Sequence, residues 1–377
     1  MIPAALQGLE VELFATAARG TEVALRDELK ELRFFQPKAD RGGARFRGKL
    51  EHAFLACLES RIAMRILIPL TTFEAYDERS YYDGFRTIDW SPLFGPDTTL
   101  AISAVSREST LTHTNFLAQK AKDAIVDQLR DKRGTRPFVD RDHPDVAIFV
   151  HLKKDEAKVF LDASGRSLHE RGYRQAIGKA PLKETLAAAM LRLSGWDRLS
   201  TLLDPMCGAG TLPIEADLWA RDVAPGLLRK QFGIERWQLI DDTLRAQFAS
   251  YREAAQSRVR TEGPEILASD LDPLAVRATT ENAGRASANI KPIVAEMGHR
   301  TFPTGGAVVT NPPYGVRLEQ DQWVLPTLRE QVTHARPMRV GILLPEDSDL
   351  ASIPRSAVLH PLTNGDIECS FAVFDVG

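Results

Sequence analysis

The stretch Thr201-Leu202-Leu203-Asp204-Pro205-Met206-Cys207-Gly208-Ala209-Gly210-Thr211 decides the fold. A short apolar strand over 201–203 runs into a turn with two glycines, and a helix over 211–220 follows at once. That junction is the unit of an open α/β sheet. Downstream the pattern repeats: strand 265–268, helix 273–286, buried strand 307–310 and a further strand 338–344. The tail, 357–362 and 368–376, flanks Asn364-Gly365, a hairpin turn signal, so an antiparallel strand should close the sheet.

Three turns at strand ends carry chemistry. In the first, Gly208 and Gly210 let the backbone approach a ligand closely, and the helix start offers unpaired N–H groups to a carboxylate. This suits a methionine-type cofactor tail framed by Asp204, Met206, Cys207 and Thr211. Alone it is ambiguous, because any strand-to-helix junction can need a glycine turn. In the second, Asp270 ends a strand and can hold a ribose hydroxyl pair, with Leu271 beside it. Asp272 reads as a helix cap before Pro273. Asp270 lies 66 residues after Asp204, against roughly 20 in a compact dinucleotide fingerprint. The excess, 217–263, is assigned as an insertion with a surface helix over 241–260.

The third turn is Val308-Val309-Thr310-Asn311-Pro312-Pro313-Tyr314-Gly315. The Asn311 side-chain oxygen and the Pro312 carbonyl can accept two hydrogen bonds from an exocyclic amine, and Pro312 and Pro313 hold these acceptors rigid. Such an amine is a poor nucleophile because its lone pair is delocalised into the ring; accepting its protons favours a pyramidal nitrogen. Tyr314 offers a face on which an extruded base can stack. Glu296 can bond an adenine amine or be a plain surface carboxylate. No cysteine is placed as a nucleophile for carbon methylation, and the histidines show no metal-ligand spacing, so no metal is expected.

Upstream, the runs 11–17, 22–32, 34–38, 43–48, 50–59 and 64–72 read βαββαβ, a small ferredoxin-like unit. A second α/β unit has a strand over 99–107 and a helix over 112–133 ended by Gly134 and Pro137. It finishes with a hairpin over 145–162, with Ala147, Phe149 and His151 set opposite Val159 and Leu161. The stretch 165–183 carries Arg166, Arg171, Arg174, Lys179 and Lys183 against Glu170, and reads as a basic connector or a solvated linker.

At 377 residues and 44% hydrophobic, the chain can bury more than one core. A net charge of −3 means that any nucleic-acid affinity must be local. Three scattered cysteines and the lack of a long apolar run or signal pattern point to a reducing compartment, the cytoplasm by default, and to no membrane.

Residues 204–216, 269–273 and 311–315 resemble the motifs of class I S-adenosylmethionine methyltransferases that modify exocyclic amines. Thr112-His113-Thr114-Asn115-Phe116 through Asp127, and Leu161-Asp162-Ala163-Ser164-Gly165 through Arg174, resemble a THUMP domain and its exit segment. Ala180-Pro181-Leu182-Lys183-Glu184-Thr185 is similar to the helix entry of RlmL/YpsC-like enzymes, which methylate guanine N2 in 23S ribosomal RNA. The resemblance implies a Rossmann-like class I methyltransferase domain (181–377) after a ferredoxin-like domain (1–70), a THUMP domain (71–166) and a basic linker (167–180). It implies S-adenosylmethionine over the glycine turn, its ribose on Asp270 and its adenine near Glu296. RNA contacts would fall at Thr114, Asn115, Lys120, Arg171, Tyr173, Arg174 and Lys179. Some relatives carry a second methyltransferase domain; none follows Gly377, so a single product is expected. Transfer-RNA guanine methylation, DNA adenine methylation and a catalytically idle ribosome-assembly factor remain as alternatives.

Overall fold

The computed structural model describes residues 6–95, 97–134, 136–175, 182–313, 324–336, 339–346, 348 and 353–376. The N-terminal half is built on β1 (Val11–Thr16), α1 (Glu22–Glu31), β2 (Phe35–Asp40), β3 (Gly43–Gly48), α2 (Leu50–Glu59) and β4 (Arg65–Glu74). It continues through α3 (Glu78–Arg86), β5 (Thr99–Arg107), α4 (Thr114–Arg133), β6 (Phe138–Val139), β7 (Val146–Lys153) and β8 (Glu156–Asp162). These strands form one eight-stranded sheet in the order β2-β3-β1-β4-β8-β7-β5-β6. β4 pairs with β1 on one side and β8 on the other, so the two expected α/β units share a continuous sheet across residue 70.

Helix α3 was not expected from sequence. Its signal is the capping pair Asp77 and Ser80, in which the Asp77 carboxylate accepts the Ser80 N–H at 2.7 Å. Tyr81 and Phe85 on its inner face pack against Phe73.

The β7–β8 hairpin corrects the expected pairing. Ile148 lies opposite Leu161 and Val150 opposite Val159, and these four are buried beneath the helices. Phe149 instead faces Phe160, and His151 faces Lys158, on the opposite side of the sheet. Alternation along a strand means that an error of one residue exchanges the faces.

The C-terminal half has α5 (Glu184–Leu193), β9 (Leu202–Asp204), α6 (Thr211–Ala220), α7 (Asp242–Ser257), β10 (Ile266–Asp270), α8 (Pro273–Ala286) and β11 (Ile293–Val294). β12 (Ala307–Thr310), α9 (Val324–Ala335), β13 (Arg339–Pro345), β14 (Val358–Asn364) and β15 (Ile367–Phe374) complete it. The sheet order is β11-β10-β9-β12-β13-β15-β14, parallel from β11 to β13, with β15 antiparallel to both its neighbours. The closing hairpin turns at Gly365 and Asp366, one residue later than the expected turn.

The insertion is not a free surface feature. Phe248 of α7 stacks on Phe54 of α2 at 4.2 Å between centroids with the rings 4° from parallel, and Phe232 meets Phe54 edge-on at 5.6 Å. Burial of this apolar face fastens the insertion to the N-terminal half. Arg258 adds an ion pair to Glu59 at 2.8 Å, and Arg19 pairs with Glu368 at 2.7 Å across the same two halves.

Candidate functional site

β9 is the first strand of its sheet in chain order, with β10 added on one side and β12 on the other. The chain therefore reverses its direction of growth between β9 and β12, and crevices at the carboxyl ends of such strands are where open α/β sheets bind ligands. Asp204, Asp270 and Asn311 stand at or just past the ends of these three adjacent strands. The fold thus gathers the three turns singled out in sequence at one edge.

The glycine turn is held from both sides. Gly208 and Gly210 have φ of +53° and +84°, a region where a side chain is strained. The Gly208 N–H donates to Asp270 Oδ2 at 2.9 Å, and the Asp272 N–H donates to Asp270 Oδ1 at 3.0 Å. Each carboxylate oxygen keeps a lone pair for a further donor, so bracing the turn leaves room for a ribose diol. Below, Thr279 Oγ1 donates to the Gly208 carbonyl at 2.7 Å and Asn282 Nδ2 to the Ala209 carbonyl at 3.0 Å. Both α8 residues are fully buried. Sequence reading missed them, since the only signal is two polar residues three apart on the inner face of α8.

Asp204 is 2% exposed. Its Oδ1 accepts the Thr310 hydroxyl at 2.8 Å and the Met206 N–H at 3.3 Å, linking β9 to β12. Burial pushes its carboxyl up to about 7, against the pull of those two donors and with a further push from Asp270. Cys207 is buried, its Sγ 3.7 Å from Thr279 Oγ1, and burial raises its thiol, so it is no nucleophile. Thr211 opens α6 and is buried, Met206 is half-buried, and Leu271 is 62% exposed beside Asp270. Glu296 is exposed, 3.4 Å from His299; its neighbour Ala295 donates to the Asp270 carbonyl at 3.1 Å, bringing it to the same edge.

At Asn311 the side-chain oxygen is buried and has no hydrogen-bond partner among the described residues. A buried amide oxygen without a donor is costly, and at the end of β12 this one stands as an acceptor open to a ligand's donor. Pro312 is buried and Pro313 exposed. Tyr314 lies outside the described residues, as does Lys179.

The basic connector is corrected. Arg171 is 1% exposed, donating to the carbonyls of Leu168 at 2.6 Å and Arg61 at 2.5 Å, with its Nε 3.6 Å from Glu215 of α6. Tyr173, also buried, donates to Glu215 at 3.1 Å. Arg174 donates to the Leu182 carbonyl at 3.0 Å and pairs with Glu184 at 2.7 Å. Arg171 thus joins the Arg61 carbonyl of the N-terminal half to Glu215 of the C-terminal half, and Tyr173 and Arg174 fasten the connector to the C-terminal half, because the buried carboxylates of Glu215 and Glu184 need donors. Thr114 and Asn115 are exposed on the first turn of α4, and Lys120 is half-buried between Tyr82 and Phe116.

Residues 12–67 match the RlmL ferredoxin-like domain, 75–162 the THUMP domain and 171–354 the RMKL-like methyltransferase domain. A ribosomal RNA large subunit methyltransferase K/L from Methylococcus capsulatus is 41% identical over 97% of this chain and 51% of its own length. The chain thus spans about half the length of the curated relatives it matches. The crystal structure of SMU.472 complexed with SAH superposes with a TM-score of 0.86 at 27% identity, covering 98% of both chains. A predicted N6-adenine-specific DNA methylase from Listeria monocytogenes gives 0.83 at 28% identity, covering 98% of this chain and 97% of its own. Among the described residues no helix is long and apolar enough to cross a membrane.

Proposed function

We propose that this chain, which belongs to the THUMP-bearing RMKL-like methyltransferases, moves a methyl group from S-adenosylmethionine to the exocyclic N2 amine of a guanine in structured RNA, with 23S ribosomal RNA as acceptor. The observation that carries the reading is the buried Asn311 Oδ1 at the sheet's switch point, without a hydrogen-bond partner among the described residues. The site fits the cofactor: a side chain added at Gly208 would meet no described residue within 4 Å, so the turn has room for a ligand to approach among them. When bound, S-adenosylmethionine would supply an electrophilic sulfonium methyl, with the electron pair of the S–CH₃ bond staying on sulfur.

The chain's own residues do the rest. Asp270 would take the ribose, the α6 amino terminus the carboxylate, Leu271 the adenine face and Glu296 its amine edge. Asn311 Oδ1 and the Pro312 carbonyl would accept the two amine protons and aim the nitrogen's lone pair at the methyl, and one proton leaves to water after transfer. Catalysis then rests on proximity and orientation, with no covalent enzyme intermediate. Thr114, Asn115 and Lys120 are the exposed RNA contacts retained from sequence, and the compartment is the cytoplasm. The domain limits 1–70, 71–166 and 181–377 belong to the same reading.

Adenine N6 is the second reading, because the Asn-Pro-Pro turn accepts any exocyclic amine and one similar structure is described as an adenine DNA methylase. Purified chain is incubated with labelled S-adenosylmethionine and unmodified ribosomal RNA, transfer RNA or DNA, and the product nucleosides are identified by mass spectrometry. N2-methylguanine in the ribosomal fraction is expected. N6-methyladenine, or label only in DNA, sinks the reading, and no label in any acceptor favours an idle scaffold.

A further inference from the structure

We infer that the open face of the eight-stranded sheet is a platform for single-stranded RNA, with bases stacking on Phe149 and Phe160 and phosphates held by Arg107, Lys153 and Lys158. This rests on the RNA-acceptor reading and adds a surface to it. Helices α3 and α4 cover the other face, where Ile148, Val150, Val159 and Leu161 join the core. On the open face the strand register aligns side chains in rows. Ser103, Phe149, Phe160 and Pro69 form one row across β5, β7, β8 and β4. Val105, His151, Lys158 and Thr72 form the next, and Arg107, Lys153, Glu156 and Glu74 the third.

Phe149 and Phe160 are only half-buried, 6.2 Å apart and tilted by 42°, and neither belongs to a core cluster. Beside them Val105 is 39% exposed. Uncovered rings in the middle of a sheet are stacking surfaces for unpaired bases. The charge agrees. The rows carry two acids, Glu156 and the exposed Glu74 of β4; Glu156 pairs with Lys158 at 3.3 Å, and neither acid forms an ion pair with Arg107 or Lys153 among the described residues. Burial, and then Lys153, Lys158 and Arg107, hold the His151 imidazole below its usual range, keeping it a neutral ring among cations. Rings flanked by unpaired cations fit a flexible polyanion with exposed bases. A duplex, read through its shallow groove and backbone, would have no use for the rings.

Binding of the full chain to a fluorescent 12-nucleotide single-stranded RNA of mixed sequence, with duplex RNA in parallel, is followed by anisotropy across salt concentrations. Arg107→Glu with Lys153→Glu should weaken single-strand binding by more than about tenfold and lower the salt slope by about 1.4, two phosphate contacts at roughly 0.7 each. Phe149→Leu with Phe160→Leu, which keeps apolar volume, should weaken it by more than about fivefold with the slope unchanged. Unchanged single-strand affinity in both variants overturns the assignment, as does duplex binding that matches the single strand and ignores the ring variant. If the unaltered chain binds no RNA at all, the RNA-acceptor reading itself fails.

Discussion

Replacing Arg171 by Ala separates a structural clamp from an RNA contact. Arg171 makes two hydrogen bonds to buried carbonyls and faces the buried carboxylate of Glu215. A hydrogen bond from a charged donor contributes about 1.5–3 kcal/mol. Two of them bring the loss to about 3–6 kcal/mol, consistent with the roughly 3–5 kcal/mol that follows from breaking a buried ion pair. Urea unfolding followed by tryptophan fluorescence should show that loss, with Glu215→Gln smaller because Tyr173 keeps its acceptor. The double variant should lose less than the sum of the two single losses, since no buried charge is then left uncompensated. RNA binding measured on protein that is still folded should be unchanged. The reasoning is refuted if Arg171→Ala keeps its unfolding midpoint while its RNA affinity and salt slope fall, the signature of a lost phosphate contact.

Three further outcomes follow from the site. Asn311→Ala should lower the rate of methyl transfer by about 10²- to 10³-fold while cofactor affinity, read by calorimetry, stays within about threefold; full activity would remove Asn311 from the mechanism. Gly210→Ala combines a φ of +84° with a new carbon 2.6 Å from Thr279 Cγ2, so it should destabilise by about 1–3 kcal/mol and weaken cofactor binding; a neutral outcome would show that the turn can shift. The folded chain holds the Asp204 proton up to about pH 7, whereas the unfolded chain releases it near the ordinary value of about 4. Between those values the folded state binds more protons, so stability falls as pH rises through the window and levels off above it. Asp204→Asn should flatten that slope in urea titrations, and an unaltered slope would assign it elsewhere.

The strand-to-turn signals at Asp204, Asp270 and Asn311 were legible because each is a local demand on the backbone: a left-handed glycine, a carboxylate closing a strand, two prolines fixing a loop. Repeating strand and helix runs also gave the α/β order and the antiparallel hairpin at the end of the sheet. The register of the β7–β8 hairpin was not legible, since alternate assignments of Phe149 and Ile148 are equally apolar until the helices choose a face. Thr279 and Asn282 escaped for the same reason, as they serve a turn about seventy residues away in sequence.

By itself the sequence determined what each strand end can do chemically, because turn geometry and side-chain type act over a few residues. Only the tertiary structure decided which charges are solvated. Arg171, Tyr173 and Arg174 look like an exposed basic strap in the chain, and become a clamp once Glu215 and Glu184 are buried against them. A charge in a low-dielectric interior must find its partner, and which interior it enters is set by surfaces that meet from distant parts of the chain.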